Sequence, residues 1–173
     1  MEEKTPNGGT YQHQFGMTLS SEFIYPEGGV LPDTGKPMSF DFSGDDDVWV
    51  FVDGVLVLDL GGVHQPINGR INFMPDSNGK MNVTVTEFDN FGVEYVSTEK
   101  SSDVDALFQR ANKTFNKTPY SQHRIDFFYL ERGGCDSNCK IKFNLMMMTQ
   151  VEVAKQINGL TPAERQKYLD QNY

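Results

Sequence analysis

The chain is 173 residues long, which is the length of one domain with short appendages. Hydrophobic residues make up 38% of it and charged residues 23%, a balance that excludes disorder for most of the chain. Asp and Glu outnumber Lys and Arg by 24 to 15, which gives a net charge of -9. This charge argues against binding to nucleic acid or to an anionic membrane surface, because both require a basic protein surface.

The sequence contains no stretch with the roughly 20 consecutive apolar residues of a membrane span. Its N-terminus lacks the hydrophobic region of a signal peptide. Both a cytosolic protein and a piece of a longer exported chain are consistent with this.

The first half of the chain has the pattern of short strands separated by Gly, Pro and Asx turns. Strands are predicted at residues 11–19, 21–25, 38–42, 48–52 and 55–60. Asp53 and Gly54 separate the last two strands, and this dipeptide favours a type I′ hairpin because both residues accept a positive φ.

The second half continues with strands predicted at residues 70–73, 81–86, 123–131 and 140–146. Residues 102–111 are predicted to be helical, with Ser102 as the N-cap. Thr161 and Glu164 form a capping box around Pro162, which predicts a helix to about residue 171. Many short strands with one or two short helices predict an all-β fold, an antiparallel sandwich or barrel.

Three consecutive carboxylates, Asp45, Asp46 and Asp47, precede the apolar strand at 48–52. Neighbouring carboxylates repel one another and Asp is a poor strand former, so a bound cation would offset the cost of this arrangement. Calcium takes six to eight oxygen ligands, and carboxylates supply both oxygen and charge. The alternative is a solvated turn with an Asp cap. The spacing is not that of an EF-hand loop.

A second polar loop, at residues 131–138, lies between the two last strands. Asn138 offers an amide oxygen there, although an ordinary hairpin loop is the alternative. Cys135 and Cys139 flank an Asp-Ser-Asn turn, which favours a small disulfide loop over two free thiols. A bridge would indicate an oxidising compartment. One cysteine pair without a second Cys or His pair cannot supply the four ligands of a zinc site.

The sequence does not favour an enzyme. It has no Gly-x-Ser-x-Gly elbow, phosphate loop or His-Glu-x-x-His motif. No pair of carboxylates stands out as the acid and base of a glycosidase. His64 lies in a Gly-rich turn after the hairpin, where a packing or turn role is favoured over a ligand role.

Two long motifs resemble the fibro-slime domain, a branch of the lectin-like domain superfamily named for the anthrax protective antigen and found in bacterial adhesins and yeast flocculins. The first is Phe-Asp-Phe-Ser-Gly-Asp-Asp-Asp-Val-Trp-Val-Phe-Val-Asp-Gly at residues 40–54, followed by Leu-Asp-Leu-Gly-Gly-Val-His at 58–64. The second is Phe-Tyr-Leu-Glu-Arg at 128–132 with Ser-Asn at 137–138. The resemblance covers roughly residues 14–145, with residues 87–118 as an insertion.

The resemblance implies a sandwich that binds calcium through two consecutive Asp residues joined by a cis peptide, with sugar hydroxyls bound to the same ion. It places the pair at Asp45 and Asp46 and leaves Asp46 with Asp47 as the alternative. The implied further ligands are Asn138 and the backbone carbonyls of Lys140 and Lys142. The candidate specificity residues are Asp47, His64, Glu131 and Asp136.

The expected function is therefore that of a calcium-dependent, glycan-binding adhesin domain of a bacterial cell-surface protein. We expect a monomeric domain within a longer extracellular chain, without nucleic-acid binding or membrane insertion. The expected layout is a flexible segment at residues 1–10, a lectin-like domain at 11–155 and a helical extension at 156–173. The alternatives are a calcium-rigidified spacer domain and a protein- or peptide-binding adhesin module.

Overall fold

The computed structural model of the chain describes residues 14–62, 64, 66–88, 100–132, 138–147, 161, 163 and 164. The strands in chain order are β1 (Gln14–Ile24), β2 (Ser39–Gly44), β3 (Asp47–Val52), β4 (Val55–Asp59), β5 (Ile67–Asn72), β6 (Asn82–Glu87), β7 (Lys100–Asp103), β8 (Gln122–Arg132) and β9 (Cys139–Phe143). One helix, α1 (Val104–Arg110), and a short 3₁₀ turn (Glu27–Gly29) complete the elements of the described residues.

The strands form two antiparallel sheets, which confirms the predicted all-β sandwich. The four-stranded sheet has the order β1-β8-β3-β4, and the five-stranded sheet has the order β7-β6-β5-β2-β9. Alternate residues of β2 and β8 are buried, as expected for strands with one face on the core. Phe127 of β8 packs across the core on Phe40 and Phe42 of β2, with ring centroids 6.0 and 6.1 Å apart.

The predicted hairpin between β3 and β4 is confirmed. Its two turn residues, Asp53 and Gly54, have φ values of 49° and 71°. Positive φ at both positions is the signature of a type I′ turn, whose twist matches that of the flanking strands.

Several predicted boundaries are corrected by strand pairing. Residues 14–24 form one strand instead of two, because their pairing with β8 is continuous from Gln14 opposite Arg132 to Ile24 opposite Gln122. Asp103, and not Ser102, is the N-cap of α1, since its side chain accepts a hydrogen bond from the Asp105 amide. The sequence of β7 has no apolar alternation, and its pairing with β6 alone makes it a strand.

The described part of the predicted insertion, residues 87, 88 and 100–118, belongs to the sandwich. Val104 and Phe108 of α1 and the following Phe115 are at most 3% exposed and lie in the main core. At the other end of the chain, Thr161 and Glu164 form the predicted capping box, with the Glu164 carboxylate 2.9 Å from the Thr161 amide. Residues 1–10 and the remainder of the predicted helical extension lie outside the described residues. None of the described helices has the length and apolar character needed to cross a membrane.

Candidate functional site

The Asp turn lies where the chain crosses between the two sheets. Asp45 and Asp46 connect β2 of the five-stranded sheet to β3 of the four-stranded sheet. The chain crosses in the opposite direction between β8 and β9, and these strands flank the same turn. Gly44 pairs with Cys139, and Asp47 pairs with Leu130. The described ends of the polar loop, Glu131–Arg132 and Asn138, therefore lie beside the Asp turn.

Asp45 has one carboxylate oxygen that is buried and unpaired. Its Oδ1 accepts no hydrogen bond within the described residues, although the residue as a whole is half-buried. A buried oxygen without a donor costs about 1–3 kcal/mol, and more when it is charged.

Asp46 and Glu131 bring two carboxyl groups into contact. Burial, together with the hydrogen bond between the Asp46 and Glu131 carboxyl groups, raises the pKa of Asp46 above its ordinary value. Glu131 is 3% exposed, and its Oε2 accepts a hydrogen bond of 2.8 Å from the Tyr129 hydroxyl. The contact between Asp46 and Arg132 is a long one, with the amide nitrogen 3.4 Å from Oδ1. Two carboxyl groups in this arrangement retain a proton or bind a cation.

Asp47 has a different role from its two neighbours. Its Oδ2 lies 2.9 Å from Nε of Arg132, and its Oδ1 accepts a hydrogen bond of 2.5 Å from the Gly62 amide. Arg132 also donates to the Gly62 carbonyl. Asp47 thus ties the loop after β4 to the end of β8, with both carboxylate oxygens engaged. This geometry supports Asp45 and Asp46 as the ligand pair instead of Asp46 and Asp47.

Asn138 is exposed and lies beside the end of β2. A Cβ atom placed on Gly44 would be 2.4 Å from the backbone oxygen of Asn138, so the two backbones are in direct contact. Cys139 is exposed and carries a free thiol in the structure. Cys135 and Asp136 lie outside the described residues, so the disulfide and the role of Asp136 remain predictions.

The backbone carbonyls of Lys140 and Lys142 lie farther along β9 from the Asp turn than Asn138 does. Both residues are in the extended strand β9, opposite Ser43 and Asp41 respectively. A strand rises about 3.3 Å per residue, so Lys142 lies about 13 Å along the strand from Asn138 and Lys140 about 7 Å. Ligands of one calcium ion all lie within about 2.6 Å of it. An ion bound by Asn138 and both carbonyls would need a closer spacing than that of the extended strand, and the role of the carbonyls as ligands stays a prediction.

The resemblance implies a cis peptide bond between the two ligand Asp residues, and the structure does not contain it at Asp46. No cis peptide bond occurs in the described residues, so the bonds on both sides of Asp46 are trans. Trans is the lower-energy state of a non-proline peptide bond by about 3–4 kcal/mol.

Two further side chains lie near this end of the sandwich. His64 is half-buried, with Nε2 2.8 Å from the Leu60 carbonyl oxygen, as a turn role predicts. Phe15 of β1 pairs with Glu131 and is 47% exposed, with its ring 5.8 Å from that of Tyr129. An exposed aromatic ring therefore lies beside the carboxyl pair, which the sequence analysis did not identify.

Sequence analysis also missed a buried Ser-His-Asp arrangement at the opposite end of the sandwich. His123 lies 2.8 Å from the Ser121 hydroxyl and 2.6 Å from the Asp53 carboxylate. Ser121 is 9% exposed and also donates to the Asn116 carbonyl, while Phe115 stacks on His123 at 4.3 Å. A catalytic serine needs an open approach, and this one is enclosed. The arrangement ties the β3–β4 turn to the start of β8.

Within the described ranges, no cluster of three or more Asp, Glu, His or Cys side chains is arranged to hold a metal ion. The acidic groups at the turn are the half-buried Asp45 and Asp46 and the buried Glu131, with the amide oxygen of Asn138 as a fourth oxygen donor nearby. An ion there would need further oxygen ligands from outside this set.

The chain is similar to segments of much longer proteins of Dictyostelium discoideum. Protein psiB is 29% identical over 147 residues, which is 84% of this chain and 18% of that protein. Protein psiN is 33% identical over 131 residues, 76% of this chain and 12% of that protein. Protein psiQ is 37% identical over 102 residues, 59% of this chain and 9% of that protein.

The chain therefore spans less than a fifth of each of these relatives. No protein-family model matches the chain, and no solved structure matches it. The relatives come from Dictyostelium discoideum and lend no support to a bacterial source.

Proposed function

We propose that this chain is a calcium-dependent, glycan-binding domain of a larger extracellular adhesin. The observation that carries the proposal is the buried, unpaired Oδ1 of Asp45 beside the Asp46 and Glu131 carboxyl pair. A divalent cation at this point would supply the missing charge to Asp45 and replace the proton shared by the pair.

The chemistry of the donors fits calcium. Carboxylate and amide oxygens are hard ligands, and no imidazole or thiolate is required. Asp45, Asp46 and Asn138 would be the ligands, and the contact of Glu131 with Asp46 adds a fourth candidate. Three or four protein groups do not fill a coordination shell of six to eight. The remaining positions would be open to water or to sugar hydroxyls.

Phe15 favours a glycan ligand over a purely structural ion. Phe15 is 47% exposed, and it lies opposite Glu131 in the pairing of β1 with β8, next to the carboxyl pair. An exposed aromatic ring next to open coordination positions can stack on the apolar face of a sugar. A spacer domain would need the ion and would have no use for this ring.

Calcium binding is tested by calorimetric titration of the wild type, Asp46→Ala, Asp45→Asn and a control variant, Asp33→Asn. Asp33 is an exposed aspartate in a distant turn, so its replacement removes the same charge outside the site. We expect both site variants to lose calcium binding and the control to retain it. Equal titration curves for the wild type and Asp46→Ala would show that calcium binds elsewhere.

Glycan binding is tested on a glycan array with and without a chelator. We expect chelator-sensitive binding that Phe15→Ala weakens, while Phe128→Ala has no effect. Phe128 is a matched control, because it is 40% exposed on β8 but packs against Phe51. Calcium binding without any glycan binding would favour the spacer alternative.

Direct coordination adds a thermodynamic requirement. If a sugar binds the ion, calcium and glycan must each tighten the binding of the other by the same factor. Calcium affinity is therefore measured at increasing concentrations of a glycan found on the array. Constant calcium affinity during saturation with glycan would rule out direct coordination. Single-site glycan affinity is expected to be weak, with adhesion resting on many copies.

A further inference from the structure

The outer face of the five-stranded sheet carries two adjoining depressions. Their volumes are about 390 and 470 Å³, within the range of small-ligand sites. Asp41, Arg70 and Lys142 line both of them. The two depressions therefore form one channel across β2, β5 and β9, called the basic groove below.

The charge of the basic groove is opposite to that of the protein. The chain has a net charge of -9, yet four cationic side chains line the groove: Lys36, Arg70, Lys140 and Lys142. Asp41 is the one carboxylate among its described lining residues. Arg70 neutralises it, with Nε 2.6 Å from Oδ1. The three ammonium groups have no described ion pair.

The remaining lining of the groove suits hydroxyl groups. Asn68, Thr84 and Thr86 line the first depression and Asn72 and Asn144 the second, which supplies neutral donors and acceptors on both sides. Cations beside neutral hydrogen-bonding groups match the anionic groups and the hydroxyls of an acidic sugar chain.

We propose that the basic groove binds an acidic polysaccharide, a sugar chain that carries carboxylate or sulfate groups. Lys140 and Lys142 contact its anionic groups, and the neutral side chains contact its hydroxyls. The groove lies on the outer face of the sheet and uses no residue of the Asp turn. Binding in the groove is therefore independent of calcium and of the function proposed for the Asp turn.

The test measures binding of the full chain to dextran sulfate, polygalacturonate, polyglutamate and neutral dextran, with chelator present throughout. The groove variant is the double substitution Lys140→Gln and Lys142→Gln. The control is the double substitution Lys80→Gln and Arg110→Gln, which removes the same charge from a turn and from the end of α1. We expect the wild type and the control to bind both acidic polysaccharides and not neutral dextran. The groove variant should bind about tenfold more weakly, as expected for two partly exposed charge contacts.

Four results would overturn the proposal. If both double variants bind the acidic polymers equally weakly, the attraction is to the charge of the whole protein and not to the basic groove. Equal binding of neutral dextran, or no binding of either acidic polysaccharide by the wild type, would remove the charge-based recognition. Polyglutamate binding as tightly as the acidic polysaccharides would identify the groove as a site for acidic peptides. Because calcium is absent, a failure here leaves the calcium proposal untouched.

Discussion

Replacing Gly44 with Ala should disturb the contact that holds Asn138 beside the Asp turn. The new Cβ would lie 2.4 Å from the backbone oxygen of Asn138 and 2.5 Å from the ring carbon Cζ of Phe42. Real Cβ atoms do not approach other atoms this closely, so β2, β9 or the Phe42 ring must move. The substitution thus probes the junction between β2 and β9 directly.

The size of the effect follows from two opposing contributions. Overpacking costs about 1–3 kcal/mol, and the loss of glycine's freedom in the unfolded chain restores about 0.4–1 kcal/mol. The net loss of unfolding free energy is therefore about 0–2.6 kcal/mol, which lowers Tm by up to roughly 10 °C in a chain of this length. Displacement of Asn138 should weaken calcium binding by about 10–100-fold, as loss of support for a ligand does.

Gly16→Ala is the matched control. A Cβ on Gly16 would meet only the Tyr129 oxygen at 3.8 Å, an ordinary contact. This variant should be as stable as the wild type or up to about 1 kcal/mol more stable. Urea denaturation of the three proteins in chelator, followed by calcium titration, measures both effects. Equal denaturation midpoints for Gly44→Ala and Gly16→Ala would refute the close packing of Gly44 against Asn138.

Three other predictions concern single side chains. Arg132→Gln leaves the buried carboxylate of Asp47 without its cation and should cost about 1–3 kcal/mol of unfolding free energy; an unchanged denaturation midpoint would show that the ion pair contributes nothing. The raised pKa of Asp46 means that the calcium-free folded state binds its proton more tightly than the unfolded state does. This group's contribution to stability is therefore greatest at acidic pH and falls as pH rises. Calcium must displace that proton, so calcium affinity should fall as the solution is acidified. Because the pKa of Asp46 is raised, the decline should begin at a pH above the ordinary pKa of Asp. Calcium affinities that do not change with pH in calorimetric titrations would contradict this. His123→Ala should lower the free energy of unfolding by about 2–4 kcal/mol, because packing and hydrogen bonds are lost. Asp53→Asn should lower it by about 1 kcal/mol, because Asn retains a hydrogen-bond acceptor and tolerates the positive φ. Equal losses for the two variants in urea denaturation would argue against this account of the buried arrangement.

The predicted disulfide is tested chemically. Oxidised, unfolded and unreduced protein should have no reactive thiol if Cys135 and Cys139 are bridged. Two free sulfhydryls would end the prediction. Because so short a loop restricts the unfolded chain little, its effect should fall on calcium affinity instead of global stability.

The sequence by itself determined the fold class, because alternation of apolar residues and turn dipeptides such as Asp53-Gly54 act over a few residues. It also marked Asp45, Asp46 and Asp47 as a candidate site, since three adjacent carboxylates before an apolar strand are visible without any tertiary information; the choice of Asp45 with Asp46 came from the resemblance. Strand β7 escaped detection because its residues carry no local signal, and only its partner β6 makes it a strand.

Only the tertiary structure decided how the three carboxylates differ. Asp47 is paired with Arg132, which lies 85 residues later in the chain, and Asp46 meets Glu131. Asp45 keeps a buried oxygen that accepts no hydrogen bond within the described part of the chain. These partners are set by the register of β3 with β8 and of β2 with β9. Register depends on how all strands bury their apolar faces together, so a local sequence pattern cannot specify which distant side chains meet at the end of the sandwich.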